Sequence, residues 1–294
     1  SSRAVGEEFS KLGVKNLEII PNGVNSRIFI EKNECVACKM SDVKHKEPVI
    51  LSVGRLEKVK GHKYLIEAFS IFKKEVQSAN LILVGDGSAR RNLEIQAEKL
   101  GVKDSVQFIG AVKHDDIPHY YHRADVFVMP SLSEGFGITA IEAMASGIPL
   151  IATNVGSLAE LVDDKKTGLL VPPADASSLA YAMRFVFDNP KTSESLIKAG
   201  AKKASGYSWD TIASRVSSTY KSIFPQRILL LTSIFPPDIG GPSYYAEKLL
   251  TELKKGGYES DVISGRQACS FRKIFSTLEK FEICYVLSSS PKIL

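Results

Sequence analysis

The stretch that sets the fold of this chain is residues 49–87, VILSVGRLEKVKGHKYLIEAFSIFKKEVQSANLILVGDG. Val49–Val53 and Leu81–Val84 are short apolar runs of the kind found in buried strands. Between them, Lys63–Lys74 places its apolar residues on one helical stripe. This order of strand, helix and strand predicts a βαβ unit and a parallel sheet.

The same alternation continues toward the carboxyl end of the chain. Further strands are predicted at Val106–Ile109, Val126–Met129, Pro149–Thr153 and Gly168–Val171. Further helices are predicted at Ser88–Leu100, Ile117–Ala124, Ile138–Ala145, Leu158–Val162, Ser177–Phe187 and Lys191–Ser205. Residues 46 to about 206 are therefore expected to form one complete, doubly wound α/β domain.

A second pattern of the same type begins after a polar linker. The predicted elements are the strand Arg227–Leu231, the helix Tyr244–Lys255, the strand Asp261–Ser264, the helix Ser270–Phe281 and the strand Ile283–Leu287. They predict the opening of a second Rossmann-like domain. The head of the chain, Ser2–Ile20, predicts a helix and one strand without a domain of their own.

The composition is that of a soluble globular protein. Of 294 residues, 44% are hydrophobic and 24% are charged, and the formal net charge is +5. These values exclude a disordered, collagen-like or disulfide-scaffold protein. The small positive net charge is distributed along the whole chain, which suits an anionic ligand but does not indicate nucleic acid. No apolar run approaches a membrane span, and the opening SSRAVGEEF lacks the core of a signal peptide. The expected location is the cytoplasm, with peripheral contact at the inner membrane surface left open.

Two groups of side chains raise the question of a metal. Cys35 and Cys38 form one CxxC in a polar stretch, without the second ligand pair that zinc needs, so a reduced, exposed loop is favoured over a zinc or redox site. His114, His119 and His122 lack a carboxylate or cysteine partner, and solvent-facing histidines are favoured over a metal site.

A first candidate site follows the strand VILSV. Gly54 and Arg55 come directly after it, and Lys60 lies five residues beyond Arg55. Ligands of open α/β sheets bind beyond the carboxyl ends of the strands, where an Arg fork and a Lys charge can hold a diphosphate. A solvated basic loop explains the same residues equally well.

A second candidate site is Glu134-Gly135-Phe136-Gly137, directly before the helix Ile138–Ala145. The glycines let a ligand approach the backbone, and the helix N-terminus offers N–H groups to an anion. Glu142 lies eight positions after Glu134, and two carboxylates point to hydroxyl-rich sugars rather than to phosphate alone. The alternative, that Glu142 is an exposed helix residue beside an ordinary turn, is less favoured because its helix is otherwise small and apolar.

The turn Gly85-Asp86-Gly87 is weak evidence for a ligand by itself. Neither the GxGxxG pattern of a dehydrogenase nor the GxxxxGK[ST] pattern of a phosphate loop occurs here. Nicotinamide enzymes and P-loop ATPases are therefore disfavoured.

Taken together, five blocks resemble the nucleotide-sugar-binding domain of glycosyltransferase family 4, retaining enzymes of the GT-B fold. The blocks are GRLEKVKG (54–61), VGDG (84–87), FIGAV (108–112), PSLSEGFGITAIEAMASGIPLIATNVG (130–156) and TGLLVPPAD (167–175). The resemblance implies a GT-B-like α/β protein that moves a sugar from a UDP- or GDP-linked donor to a hydroxyl acceptor, with retention and without a metal or other cofactor. The acceptor class stays open between a polysaccharide, a lipid-linked compound and a small molecule.

The resemblance also assigns roles to residues of this chain. Arg55 and Lys60 would hold the donor diphosphate, and Glu134 with the backbone of 135–137 would hold the transferred sugar. Glu142 would bind the ribose hydroxyls, and Val112 with its neighbours would line the base pocket. The catalytic residues implied are Arg55, Lys60 and Glu134, and the donor-binding set is Gly54, Arg55, Lys60, Gly85, Val112, Glu134, Gly135, Phe136, Gly137, Thr139, Glu142, Gly240 and Gly241.

Both ends of the chain resemble the other, acceptor-side domain of the same family. RILLLTSIFPPDIGG (227–241) matches its first strand and glycine loop, with Gly240 and Gly241 expected near the donor phosphate. IIPNGV (19–24) matches its end and the crossover. The expected domains are therefore 1–25 (the end of the acceptor side), 26–220 (the donor domain) and 227–294 (the truncated beginning of an acceptor side). A fusion of two fragments and a shortened, permuted form both explain this order.

Two other functions compete with sugar transfer. A donor domain that binds nucleotide sugar without turnover, completed by a partner chain, fits the shortened acceptor side. A non-hydrolysing sugar-nucleotide epimerase of the same fold fits less well, because the EGFG loop with this glutamate spacing is typical of the transferases.

Overall fold

The computed structural model describes residues 18–30, 47–223, 227–232, 241–264 and 283–287. Two compact units divide the chain. The larger unit is Val24–Gly206, and the smaller unit combines the residues before Val24 with those from Tyr207 onward. Residues 207–220, which were predicted to belong to the donor domain, fall in the smaller unit.

A parallel sheet of six strands forms the centre of the larger unit. Its strands are β1 Val49–Val53, β2 Asn80–Val84, β3 Val106–Gly110, β4 Val126–Met129, β5 Leu150–Thr153 and β6 Leu169–Val171. Their order is β3-β2-β1-β4-β5-β6, and each neighbouring pair is parallel. The doubly wound α/β fold predicted from the sequence is confirmed.

Helices connect these strands and cover the sheet. They are α1 Ser26–Ile30, α2 His62–Glu75, α3 Arg90–Lys99, α4 Ile117–Arg123, α5 Ile138–Ala145, α6 Gly156–Leu161, α7 Ala176–Asp188 and α8 Pro190–Ser205. Short 3-10 turns occur at Lys58–Lys60, Lys103–Ser105 and His114–Asp116.

Burial of apolar side chains explains why these segments fold as they do. The strands β1 and β2 are buried along nearly their whole length, as expected for a parallel sheet covered on both faces. Helix α2 contributes a stripe of fully buried residues that includes Leu65 and Phe69, and it packs against α7. Helix α5 packs against α8, α1 and the strands β4 and β5. The carboxyl ends of the strands are thereby held in fixed relative positions.

The smaller unit contains a parallel sheet in the order β8-β7-β9, with β7 Arg227–Thr232, β8 Glu259–Ser264 and β9 Ile283–Leu287. Helices α9 Trp209–Ile223 and α10 Gly241–Lys255 belong to it. A small core joins Ile20, Ile212, Val216, Leu230, Ala246, Leu249 and Leu253. Helix α9 was not predicted from the sequence, which left that stretch outside the predicted elements. The predicted helix Ser270–Phe281 lies outside the described residues, as does most of the predicted helix and strand of Ser2–Ile20.

Within the described ranges, no helix combines the length and the apolar character needed to cross a bilayer.

Candidate functional site

The candidate site lies where the direction of chain winding reverses in the larger sheet. From β1 the chain proceeds to β2 and β3 on one side, whereas β4, β5 and β6 lie on the other. In open α/β sheets such a reversal leaves a crevice beyond the carboxyl ends of the strands, where ligands bind. Two segments leave β1 and β4 here: the first loop, Gly54–Gly61, and the glycine loop, Pro130–Gly137.

The two loops are held against each other by backbone contacts. The Leu132 amide donates to the Val59 carbonyl at 2.8 Å. Gly61 has φ +68°, and a Cβ at this position would lie 1.9 Å from the Pro130 carbonyl oxygen. Only glycine satisfies both the left-handed backbone and this close approach.

A cation and a carboxylate meet between these loops. The Lys60 Nζ lies 2.6 Å from the Glu134 Oε2, and the two side chains are 22% and 11% exposed. The Ser131 hydroxyl donates to the same oxygen at 3.3 Å, and the Gly135 amide donates to Oε1 at 3.2 Å. The carboxylate therefore has a defined position, while the ammonium group retains access to solvent.

The backbone of Glu134 is fixed from a third side by the start of helix α6. The Ser157 hydroxyl donates to the Glu134 carbonyl at 3.1 Å. A Cβ on Gly156, whose φ is +47°, would lie 2.5 Å from that same oxygen. Gly137 then adopts φ +86° and starts helix α5, so the N-terminal amides of α5 follow directly after the carboxylate. An anion at this end of the helix is favoured by those amides and by the helix dipole.

Arg55 is exposed on the first loop, close to the turn that follows β2. The Leu56 amide donates to the Asp86 carbonyl at 2.9 Å. Glu57 accepts hydrogen bonds from the Ser88 hydroxyl and amide, which lower the pKa of its carboxyl. These contacts position the backbone of the first loop and leave the Arg55 side chain at the surface.

The two glycines predicted to contact the donor in this region differ in their surroundings. A Cβ added to Gly54 would have no neighbouring atom within 4 Å, so Gly54 borders open space. Gly85 has φ +131°, and an added Cβ would lie 2.0 Å from the Gly54 carbonyl oxygen. Gly85 therefore serves the packing of two loops, whereas Gly54 leaves room for a ligand.

Glu142 is buried inside helix α5. Its residue exposure is 2%, and its Oε2 lies 3.1 Å from the hydroxyl oxygen of Tyr121. Burial raises the pKa of Glu142 to about 7, and the hydrogen bond from Tyr121 opposes that rise. The alternative of an exposed helix residue is wrong. The group is an acid that changes charge near neutral pH.

His62 adds no charge to the site at neutral pH. It is 3% exposed, and burial together with the nearby Lys60 charge lowers its pKa to about 4. Its Nδ1 is buried with no hydrogen-bond partner in the structure. The positive charge beside Glu134 is therefore that of Lys60.

Five other residues were predicted to bind the donor. Val112, Phe136 and Thr139 are half-buried, on the loop after β3, in the glycine loop and in the first turn of α5. Gly241 starts helix α10 in the smaller unit, and Gly240 lies outside the described residues. The contacts that these residues make with a donor stay predictions.

The structure describes only one of the two groups considered as a metal site, the three histidines. Across the described part of the chain, no three His, Cys, Asp or Glu side chains come together as a metal site. His119 is exposed as expected, whereas His114 and His122 are half-buried. The His122 Nε2 lies 2.9 Å from the Phe29 carbonyl oxygen, and the His114 ring packs edge-on against Phe29. Cys35 and Cys38 lie outside the described residues.

Three residues that contact the predicted carboxylate residues were not predicted from the sequence: Tyr121, Ser131 and Ser157. Tyr121 and Ser131 form hydrogen bonds with the side chains of Glu142 and Glu134, respectively. Ser157 donates to the backbone carbonyl of Glu134. Ser131 lies three residues before Glu134 in the same loop, a spacing that allows such a bond. Tyr121 and Ser157 come from other elements, so no local pattern could identify them.

Comparison with known proteins supports these observations. Residues 39–203, more than half of the chain, match the family model described as glycosyl transferases group 1. An uncharacterized glycosyltransferase of Methanocaldococcus jannaschii is 36% identical over 210 residues, which are 70% of this chain and 54% of that protein. A glycogen synthase of Mycobacterium tuberculosis is 35% identical over 172 residues, 58% of this chain and 42% of that protein. The chain thus spans about half the length of these curated relatives.

Among solved structures, the sucrose-phosphate synthase of Thermosynechococcus elongatus has a TM-score of 0.65 and 32% sequence identity. The alignment covers 75% of this chain and 57% of that one. The fold expected from the sequence, an α/β protein of the GT-B type, is confirmed by this similarity. The family match and the fold together show that this chain belongs to the group 1 family of glycosyl transferases.

Proposed function

We propose that this chain binds a nucleoside-diphosphate sugar, linked to UDP or GDP, and transfers the sugar to a hydroxyl acceptor with retention of configuration. The observation that carries the proposal is the Lys60–Glu134 pair, 2.6 Å apart, next to the N-terminus of helix α5. One cation, one carboxylate and a helix N-terminus at the reversal point of the sheet suit a ligand with an anionic part and a hydroxyl-rich part.

Lys60 and Arg55 are assigned to the donor diphosphate. Negative charge develops on the diphosphate as its bond to the sugar breaks, and groups held in advance around that charge lower the barrier. Lys60 is positioned by Glu134, and Arg55 is exposed beside the open space at Gly54. The amides at the start of α5 provide a third source of positive potential.

The two carboxyl groups are assigned to hydroxyl groups of the donor. Glu134, with the backbone of 135–137, would accept hydrogen bonds from the transferred sugar. Glu142 would bind the ribose, and Val112 with its neighbours would contact the base. These roles are supported by the order of the residues around the crevice: Glu134 lies before the helix N-terminus and Glu142 lies inside the helix.

The reaction proposed needs no metal ion. Arg55, Lys60 and the N-terminus of helix α5 could together match the charge on the diphosphate. We therefore expect turnover to continue when divalent ions are removed by a chelator.

Retention follows from attack on the same face of the sugar as the departing group. The bond from C1 to the diphosphate oxygen breaks, the acceptor oxygen bonds to C1, and the acceptor proton passes to the departing phosphate oxygen. A double displacement would require a free carboxylate nucleophile, whereas the Glu134 carboxylate is paired with Lys60. The acceptor is a polysaccharide, a lipid-linked compound or a small molecule.

A second candidate is a donor-binding protein without turnover, completed by a partner chain. It is favoured by one observation: the family match, residues 39–203, falls entirely within the larger unit, which also contains the Lys60–Glu134 pair. In this case the nucleotide sugar would bind and no sugar would be transferred.

Turnover assays distinguish the two candidates. The full chain would be incubated with UDP-glucose or GDP-mannose and with acceptors of the three classes, with and without EDTA. Nucleotide release and the anomeric NMR signal of the product would be followed. We expect an axial product from an axial donor, an unchanged rate in EDTA, and a loss of about 10²- to 10³-fold in Glu134→Gln.

The control variant is Glu98→Gln, at a carboxylate 64% exposed on helix α3, and it should keep the wild-type rate. Binding of the nucleotide sugar without turnover would replace the first candidate by the second. A product with inverted configuration would contradict the proposed chemistry, and equal rates in Glu134→Gln and Glu98→Gln would contradict the role of Glu134.

A further inference from the structure

The hydroxyl of Tyr121 lies between two oxygen atoms of helix α5. It is 3.0 Å from the carbonyl oxygen of Thr139, in the first turn, and 3.1 Å from the Oε2 of Glu142. Tyr121 is fully buried on helix α4. Its ring packs edge-on against Phe29 at 5.4 Å and lies 5.3 Å from the Phe127 ring. These contacts pack the Tyr121 ring against helix α1 and strand β4.

The direction of the hydrogen bonds at the Tyr121 hydroxyl depends on whether Glu142 is protonated. A tyrosine hydroxyl donates one proton and accepts others, and a backbone carbonyl only accepts. If Tyr121 donates to Thr139, the short contact with Glu142 is a hydrogen bond only when the carboxyl group is the donor. If Glu142 is ionised, Tyr121 must donate to the carboxylate, and the Thr139 carbonyl loses this partner.

We propose that Tyr121 is a positioning residue of the donor site, which connects a protonated Glu142 to the first turn of helix α5 by a chain of two hydrogen bonds. In this chain the carboxyl group of Glu142 donates to the Tyr121 oxygen, and the Tyr121 hydroxyl donates to the carbonyl of Thr139. Ionisation of Glu142 reverses the first bond and releases the second.

Other ionisable groups near α5 do not account for this arrangement. Glu142 is the only ionisable residue of Ile138–Ala145, and the strands β4 (VFVM) and β5 (LIAT) have none. Helix α1 contributes Arg27, which is exposed. The groups of α8 are at the surface: Glu194 pairs with Lys198, Lys203 pairs with Asp163, and Lys191 and Lys202 are exposed. On α4, His119 is exposed, and His122 has its Nε2 at 2.9 Å from the Phe29 carbonyl.

The consequence for the donor rests on the proposed function. Thr139 belongs to the turn whose amides are assigned to the donor, and Glu142 is assigned to the ribose. With Oε2 held by Tyr121, Oε1 is the oxygen that we assign to the ribose hydroxyls. One tyrosine therefore aligns two of the groups that would contact the nucleotide part of the donor, and it comes from the helix that follows the Val112 loop.

The test is a titration of the Glu142 carboxyl group by ¹³C NMR in the full, glutamate-labelled chain. The signal is identified by its absence in Glu142→Gln. We expect a midpoint near the pKa of about 7 in the wild-type chain and a midpoint at higher pH in Tyr121→Phe. The substitution removes the bond to Tyr121 in both protonation states, and the charge-assisted bond of the ionised carboxylate is the stronger one. The control Tyr120→Phe changes the neighbouring, half-buried tyrosine and should leave the midpoint unchanged.

A midpoint in the ordinary range of glutamate in the wild-type chain would overturn the proposal, and so would equal midpoints in wild type and Tyr121→Phe. A second arm measures UDP and GDP affinity by calorimetry, with about five- to tenfold weaker binding expected in Tyr121→Phe and none of this loss in Tyr120→Phe. Equal nucleotide affinity in wild type and Tyr121→Phe would refute the positioning role. Absence of nucleotide binding in the wild-type chain would refute the proposed function and the positioning role together, while the NMR midpoints still test the Tyr121–Glu142 hydrogen bond on their own.

Discussion

At the scale of single residues, the carboxyl group of Glu142 ties the stability of the larger unit to pH. The folded chain raises its pKa to about 7, from the ordinary value of 4.5, because burial disfavours the charged form. An acid whose pKa is raised by folding contributes its full stabilisation only at pH values below its pKa in the unfolded chain. That contribution declines as pH rises between the two values and is lost above the folded one.

The substitution Glu142→Gln should therefore remove a pH-dependent loss of stability. The difference of about 2.5 in pKa corresponds to about 3 kcal/mol in the free energy of unfolding. Glutamine keeps the shape of the side chain and does not ionise, so Glu142→Gln should unfold at higher urea concentration than wild type at pH 8, with a smaller difference at pH 5. Parallel stability curves for the two proteins between pH 5 and pH 8 would contradict this account.

His62 changes the stability of the folded chain with pH in the opposite direction to Glu142. The effect of Glu142 must therefore be measured as a difference between wild type and Glu142→Gln. Burial, assisted by the charge of Lys60, lowers its pKa to about 4, so the neutral ring is favoured in the folded chain. Its contribution to stability is present above about 6.5 and is lost as pH falls toward 4. Between pH 4.5 and 6.5 the two buried groups offset each other in wild type. The difference between wild type and Glu142→Gln cancels the His62 effect.

At the scale of elements, the approach of the first loop to the glycine loop determines whether Lys60 reaches Glu134. Gly61 has φ +68°, and the Pro130 carbonyl oxygen occupies the place of its Cβ, 1.9 Å away. That oxygen belongs to the backbone and cannot turn aside as a side chain would. A larger residue at this position must therefore separate the two loops.

Gly61→Ala and Gly101→Ala form a matched pair that tests this point. Gly101 has a similar φ of +71°, but nothing lies within 4 Å of an added Cβ. We expect Gly101→Ala to cost about 1 kcal/mol of stability from backbone conformation alone, and Gly61→Ala to cost about 3 kcal/mol or more. The measurement is urea unfolding of both variants. Equal losses would show that the two loops do not need this close contact.

The fold elements could be predicted from the sequence where apolar runs and their periods are regular. The strands β1, β4 and β9 have the predicted bounds, and β2, β3, β5 and β6 differ by one residue at one end. Helix α9, Trp209–Ile223, was missed because its sequence WDTIASRVSSTYKSI is rich in serine and threonine. It is helical because its apolar side pairs Ile212 and Val216 with the core of the smaller unit, which a local pattern does not show.

Candidate site residues could be named from the sequence, but the contacts between them could not. The sequence placed Lys60 and Glu134 in two separate candidate sites that only the family resemblance joined, and the strand order that makes β1 and β4 neighbours appears only in the folded sheet. The hydrogen-bond partner of the buried Glu142 is likewise Tyr121, which is 21 positions away in the chain. Interactions across such distances follow from topology rather than from spacing.

At the scale of the whole molecule, the family match and the candidate site coincide in one unit. The match covers residues 39–203, within Val24–Gly206, and the chain covers 54% of one curated relative and 42% of another. Donor binding is therefore the part of the proposed function that the larger unit should perform. The roles expected for Gly240 and Gly241 remain predictions for the rest of the chain.

The most direct test of the donor site is calorimetric titration of the full chain with UDP and with GDP. Wild type is compared with Lys60→Met and with Lys63→Met, which removes a lysine 64% exposed on helix α2. We expect saturable binding of one of the two nucleotides, weakened about tenfold or more by Lys60→Met and unchanged by Lys63→Met. Binding of neither nucleotide, or equal affinity in wild type and Lys60→Met, would contradict this expectation.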